Sequence, residues 1–173
     1  IQGLAPPSEA QLKTLLRAAG VPQLWPRAWA LRGTVGDDDL KARLGQWLDK
    51  DEPDGQRRCG IARGVDGEGQ PVVAAVVVDA VADLEPLPIR VAVSRWLSLQ
   101  AKMHLPTDQV KVVLLGPKGR PKRVLASISQ GVVRSRFMLD QPGAWTVQVV
   151  AMTADGPRPT LEATLFAGVA PPE

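Results

Sequence analysis

Apolar residues in the first part of the chain recur at the spacing of two amphipathic helices. Ser8 and Gln11 have the spacing of a capping box, which predicts a first helix over residues 8–19. Its apolar face follows the i, i+3, i+4, i+7 pattern and consists of Leu12, Leu15, Leu16 and Ala19. A second helix is predicted over residues 37–50, because the aspartates at 37–39 suit the positive end of a helix dipole. Its apolar face consists of Leu40, Leu44, Trp47 and Leu48.

A β-hairpin is predicted after these helices. Its strands are residues 57–65 and 71–79, and its loop is 66–70, where Asp and Gly tolerate positive φ. The second strand is apolar on both faces over Val72–Val78, so we expect both faces to be covered. The two helices are expected to cover one of these faces. The connection 21–36 is predicted to be irregular, with its tryptophans packed on the first helix.

From residue 88 onward the pattern predicts only strands and turns. Turn signals recur about every 8–12 residues, which is typical of a β-sandwich. We therefore expect an all-β immunoglobulin-like sandwich of about seven strands, without the Cys…Trp…Cys pattern of antibody domains. The predicted strands are 89–93, 96–104, 110–115, 122–128, 132–139, 144–153 and 160–167.

Composition and charge change at the same point of the chain, which predicts two domains. Residues 1–87 form the small α+β domain of two helices plus a β-hairpin, with 10 Lys and Arg against 13 Asp and Glu. Residues 88–168 form the sandwich, and residues 88–173 carry 11 Lys and Arg against 5 Asp and Glu. The Pro-rich segment Glu85–Pro88 is the expected boundary, and 169–173 resembles the start of a linker.

The counts of reactive side chains exclude several classes of site. One Cys and one His exclude an internal disulfide framework, a Cys-based zinc or iron–sulfur site and a multi-His metal site within one chain. No apolar run is long enough for a transmembrane helix. We therefore predict neither a cofactor nor a metal.

Two groups of residues allow a catalytic or metal-binding interpretation. Cys59 and His104 suit a thiol–imidazole pair, but the pattern favours a buried strand Cys and a strand-end His in separate domains. The loop Asp66–Gly69, like the acidic residues around the second helix, suits either a hard cation or solvent, and we favour solvent because no EF-hand spacing is present. Those acidic residues are Asp37, Asp38, Asp39, Asp49, Asp51, Glu52 and Asp54.

A basic segment is the strongest candidate for binding. Gly116–Arg123 lacks the Gly-Lys-Ser/Thr ending of a phosphate loop and is better interpreted as a basic hairpin loop. Residues 110–139 contain seven basic residues and no acidic residue, which suits an anionic polymer, lipid head groups or an acidic protein, although the pattern favours solubilising charge on an outer sheet face. Nucleic acid is not expected, because no aromatics interleave with the charges. The basic residues are Lys111, Lys118, Arg120, Lys122, Arg123, Arg134 and Arg136.

The five tryptophans allow a carbohydrate-stacking interpretation, but their positions favour packing in the core. Three lie in or beside the predicted helices and two begin predicted strands with apolar alternation. They are Trp25, Trp29, Trp47, Trp96 and Trp145.

Residues 57–168 resemble the region that precedes the CAP (cysteine-rich secretory, antigen 5 and pathogenesis-related) domain in some secreted bacterial proteins. The resemblance is carried by Gly60-Ile61-Ala62, Glu85–Pro88, Lys111–Pro121, Val133–Phe137, Leu139–Gly143, Thr146–Val149 and Gly156–Ala163. It implies an exported accessory region in the periplasm, at the cell surface or outside the cell. The His and Glu site of the CAP domain has no counterpart in these residues.

We therefore expect a non-catalytic binding or scaffold module of an exported bacterial cell-envelope protein. Its partner is an envelope polymer or another protein, met through the basic sandwich surface. One alternative is a hydrolase with a site between the two halves, using Cys59 or the acidic cluster. A second alternative is a passive spacer for a C-terminal catalytic or CAP domain.

Overall fold

A computed structural model describes residues 2–3, 5–50, 53 and 55–172, which form mostly β structure with two helices. Helix α1, Glu9–Ala18, confirms the first predicted helix. The Ser8 side chain accepts a hydrogen bond from the Gln11 backbone N–H at 3.3 Å, and the Gln11 side chain accepts one from the Ser8 N–H at 2.9 Å. Of the predicted apolar face only Leu12 is buried. Neither described helix has the length and apolarity needed to span a membrane.

Helix α2, Asp37–Leu48, confirms the second predicted helix and packs on an antiparallel sheet. Leu40 lies in a small core with Leu31 and Val73. The order in this sheet is β1-β2-β4-β3. Its strands are β1 Gln2–Gly3, β2 Arg27–Arg32, β3 Gln56–Val65 and β4 Pro71–Ala80.

The predicted hairpin is confirmed as β3 and β4, but the expectation of an irregular connection over 21–36 is wrong. Strand β2 lies in that segment and pairs antiparallel with β4, with Trp29 opposite Ala75. On β4, the odd-numbered side chains from Val73 to Val77 are buried, whereas Val72, Ala74 and Val76 are only half-buried. Over Val72–Val77, only the face of β4 that carries the odd-numbered residues is fully covered, although cover was expected on both faces.

The remaining strands form two sheets around one core, so the molecule is sandwich-like in this half. The core contains side chains from both sheets, among them Leu99, Phe137, Leu114, Trp145 and Leu165. One sheet, in the order β10-β11-β7-β5, consists of β5 Ala82–Leu84, β7 Trp96–Met103, β10 Ala126–Ser129 and β11 Val132–Met138. The other, in the order β6-β13-β12-β8-β9, consists of β6 Arg90–Val91, β8 Val110–Leu115, β9 Lys122–Val124, β12 Gly143–Thr153 and β13 Gly156–Ala167.

The described residues thus place nine strands in these two sheets, against the expected seven or so. The predicted strand 122–128 is in fact two strands, because β9 pairs with β8 in one sheet and β10 pairs with β11 in the other. Leu125, at the point where the chain changes sheets, is 93% exposed. Strand β5 lies before residue 88 yet pairs with β7, so the polypeptide enters the sandwich ahead of the Pro-rich segment.

Two sets of contacts join the α+β unit to the sandwich. The segment after α1 bridges to the edge of β13, where the Glu162 N–H donates to the Pro22 carbonyl at 2.9 Å. Arg17 of α1 forms an ion pair with the Glu162 side chain. On the other sheet, the His104 N–H donates to the Val81 carbonyl at 2.8 Å.

Candidate functional site

The hairpin of β8 and β9 carries five of the seven basic residues predicted to bind an anion. Val112 and Leu114 fill the core, so alternation directs Lys111 to the outer face of β8. Arg123 of β9 lies opposite Val113 and therefore shares that outer face. The connecting loop adds two exposed side chains. We call the set of Lys111, Lys118, Arg120 and Arg123 the β8–β9 surface.

Lys122 belongs to the same hairpin but has a structural role. Its ammonium group forms an ion pair with Asp140 and lies 5.8 Å from the centre of the Trp145 ring. The hydrogen bond from Lys122 lowers the pKa of the Asp140 carboxyl. Lys122 is therefore held against the sandwich by its own neighbours.

Arg134 and Arg136 lie on the other sheet, so the seven basic residues do not form one surface. They project from β11 on the same face as Ser98 and Gln100 of β7, beside a shallow groove of about 440 Å³. The Arg136 guanidinium stacks over the ring of Trp96 at 5.5 Å.

Most of these basic side chains have no acidic partner, in contrast to those of the α+β unit. Six of the seven lack a carboxylate within ion-pair distance among the described residues, Lys122 being the exception. In the α+β unit the opposite holds, and its pairs include Lys13–Glu9, Arg32–Asp66, Arg43–Asp39, Arg58–Asp83 and Arg63–Asp37. The positive charge that remains available to a partner is therefore concentrated on the sandwich.

The expectation that all tryptophans pack in the core is wrong for two of them. Trp96 is 57% exposed and Trp25 is 51% exposed with its backbone at φ +66°, a rare conformation for a bulky residue. Lys13 lies 4.7 Å from the centre of the Trp25 ring. The alternation along β7 predicts that Trp96 is exposed. Leu97 and Leu99 face the core, so Trp96, which precedes Leu97, faces outward.

No hydrogen bond joins Cys59 and His104 among the described residues. Cys59 is exposed on β3, so the expectation that it is buried is wrong, and it has no hydrogen bond among the described residues. The His104 ring instead bonds through Nε2 to Asp83 at 2.8 Å. Neither residue lines the cavity of about 730 Å³ that lies between α1, β2 and Arg158 of β13.

The acidic residues also bond within the chain. Asp37 and Asp39 at the start of α2 form ion pairs with Arg63 and Arg43. The Asp66 carboxylate accepts backbone N–H groups of its own loop at 2.9 Å, which lowers its pKa. Of the other acidic residues in the predicted cation cluster, Asp51, Glu52 and Asp54 lie outside the described residues.

Asp83 links the two halves of the molecule. Arg58 of β3 donates to both of its carboxylate oxygens, at 2.6 and 2.7 Å, and His104 holds one of them. These hydrogen bonds, that of Arg58 first, lower the pKa of Asp83 to about 2. Arg58 and Asp83 thus form an ion pair that joins the α+β unit to the sandwich.

We expect Asp83→Asn to lower the free energy of unfolding at neutral pH by at most about 1 kcal/mol, since the pair is partly exposed. The folded pKa lies below that of the unfolded chain, so the carboxylate stabilises the fold above about pH 4, and this contribution is lost as the pH falls through 2. Urea unfolding of both proteins at pH 7 and pH 2 measures the difference. Asp108→Asn, at an exposed turn, is the control, and an Asp83→Asn deficit that persists unchanged at pH 2 would contradict the assignment.

No protein-family model matches the chain, and a search of curated proteins finds no similar sequence. The interpretation of these surfaces therefore depends on their geometry and charge.

Proposed function

We propose that the chain is a non-catalytic binding module that contacts an anionic polymer through the β8–β9 surface. The observation that carries the proposal is a difference in ion pairing between the basic residues of the α+β unit and those of the β8–β9 surface. Basic residues of the α+β unit are neutralised by neighbouring carboxylates, whereas Lys111, Lys118, Arg120 and Arg123 are not. A repeating phosphate or carboxylate polymer meets several such cations at once, and their contributions add.

The packing at the base of the loop between β8 and β9 also suits binding. Pro117, in the loop that carries Lys118 and Arg120, packs against the backbone of Gly143. Gly116 lies against the ring of the buried Trp145. The loop is therefore fixed at its base while its cationic side chains remain exposed, which limits the entropy lost on binding.

Charge reversal at Lys118, Arg120 and Arg123 tests the proposal. We expect the triple Glu variant to bind long-chain polyphosphate or poly-L-glutamate at least about tenfold more weakly than the wild type, because favourable contacts become repulsive. Titration of labelled polymer, followed by fluorescence anisotropy, measures the affinity. The two polymers represent a phosphate-bearing envelope polymer and an acidic protein surface.

The matched control reverses three other exposed basic residues, Arg90, Arg95 and Lys102, which gives the same change in net charge. This control is expected to retain most of the affinity. An equal loss in both variants, or no binding of the wild type to either polymer at low salt, would refute a role for the β8–β9 surface.

We also propose that the sandwich is immunoglobulin-like. In that fold one sheet has the order D-E-B-A and the other carries G-F-C with C′ at its edge. The orders β10-β11-β7-β5 and β13-β12-β8-β9 support the same assignment. The indole N–H of Trp145, at the start of β12, donates to the Gln141 carbonyl at 2.9 Å, as the tyrosine of a tyrosine corner does in strand F.

For the cellular setting, we propose an exported bacterial envelope protein, on the resemblance to regions that precede CAP domains. In that setting the module would hold a neighbouring domain close to an anionic envelope polymer. A pure spacer would lack the polymer affinity, so the titration separates these two roles.

A further inference from the structure

Strand β3 is a long sheet edge, and no described strand other than β4 pairs with it. It has ten residues, contains no proline and pairs with β4 without a bulge. The other edge strands of the described sheets are shorter, having two residues in β1 and β6, three in β5 and β9, and four in β10. Proteins usually shorten, cover or charge such edges, because an open one pairs with another strand.

The direction of the backbone groups along this edge follows from the hairpin. The Asp66 N–H donates to the Gln70 carbonyl, so the even-numbered residues of β3 form the hydrogen-bonded pairs with β4. The odd-numbered residues then direct their backbone N–H and C=O groups away from the sheet. These residues are Arg57, Cys59, Ile61, Arg63 and Val65, of which the last four are exposed.

The arginines of β3 do not select an acidic peptide for this edge. Arg57 pairs with Asp79, Arg58 with Asp83 and Arg63 with Asp37. Their charge is thus neutralised within the chain, which leaves an edge of main-chain groups with Ile61 at its centre, 55% exposed.

We propose that β3 pairs antiparallel with β3 of a second copy, which joins the two four-stranded sheets across a two-fold axis. Residues that lie opposite each other in such a pair share a face, so odd-numbered residues pair with odd-numbered ones. The two-fold axis therefore lies midway between the two copies of one residue. Centring the pair on Gly60 places Arg57 opposite Arg63, two like charges. Centring it on Ile61 pairs residues 57–65 without opposed like charges.

Among the registers without opposed like charges, the one centred on Ile61 pairs the longest part of β3, residues 57–65 of each copy. It places Ile61 opposite Ile61, Cys59 opposite Arg63 and Arg57 opposite Val65. The outward-directed residues Cys59, Ile61 and Arg63 then each donate one hydrogen bond and accept one. Exposed apolar surface at Ile61 and Val65 becomes buried in the same step.

Ile61→Lys tests this interface, since it places two ammonium groups opposite each other without touching the β3–β4 hydrogen bonds. Sedimentation equilibrium in reducing buffer should show concentration-dependent dimerisation of the 18.5 kDa wild-type chain. The variant should raise the dissociation constant at least about tenfold. Leu125→Lys, at a 93% exposed site in the sandwich, is the matched control and should dimerise as the wild type does.

The register has its own test. Ile61→Glu should also be monomeric, and an equal mixture of the Lys and Glu variants should recover the dimer, because residue 61 meets residue 61 only in this register. A wild type that stays monomeric at every concentration, equal effects of the Ile61 and Leu125 substitutions, or a mixture that does not recover the dimer would overturn the proposal.

Discussion

Replacing Trp145 by alanine is expected to lower the free energy of unfolding by about 3–5 kcal/mol. The side chain is 1% exposed and lies between Gly116 and the core of both sheets, so its removal leaves a large cavity. The substitution also leaves the Gln141 carbonyl without its indole donor. Chemical unfolding in urea measures the change.

Trp96→Ala is the control for this prediction, because it removes the same side chain from the surface of the same sandwich. There the loss is limited to the stacking with Arg136, about 1 kcal/mol or less. Equal destabilisation by the two substitutions would show that Trp145 does not organise the core as described.

The second large effect is expected at Gly143, where Gly143→Ala should lower the free energy of unfolding by about 2–6 kcal/mol. The backbone there has φ +133°, and an added Cβ would lie 2.9 Å from the ring of Pro117. Conformational strain and overpacking contribute about 1–3 kcal/mol each. Because Pro117 begins the loop of the β8–β9 surface, the same variant should also bind anionic polymer more weakly.

Gly119→Ala separates the two causes of this loss. Its backbone also has positive φ, at +100°, but an added Cβ meets no atom within 4 Å. We therefore expect Gly119→Ala to show the conformational cost alone, and to be clearly more stable than Gly143→Ala in urea. If the two variants unfold alike, the contact between Gly143 and Pro117 does not fix the loop.

Local signals in the sequence predicted local structure well. The capping box of Ser8 and Gln11 placed the start of α1, and the turn Gln130-Gly131 appears with φ of +50° and +73°. Strand β2 was missed because Trp25-Pro26 and Gly33 suggest a loop, although Trp29 and Leu31 alternate with polar and small residues. Period-two alternation over only six residues is a weak signal beside such turn residues.

The sequence predicted which basic residues are candidates for binding, but not that they lie on two different sheets. The basic residues of 110–139 are adjacent in sequence, yet β11 pairs with β7 while β8 pairs with β12. Arg134 and Lys111 therefore lie on different sheets. Pairing between strands distant in sequence decides this separation, and no spacing of residues along the chain reveals it.

The most direct measurement of the proposed function is the affinity for long-chain polyphosphate as a function of salt. Raising the ionic strength from about 0.01 M to about 0.15 M shortens the Debye length from about 30 Å to about 8 Å. The wild type and the Arg90, Arg95 and Lys102 control should then lose affinity steeply and in parallel. The Lys118, Arg120 and Arg123 variant should bind weakly throughout, with a much smaller dependence on salt. An affinity that salt does not change, or the same steep dependence in all three proteins, would contradict binding through the β8–β9 surface.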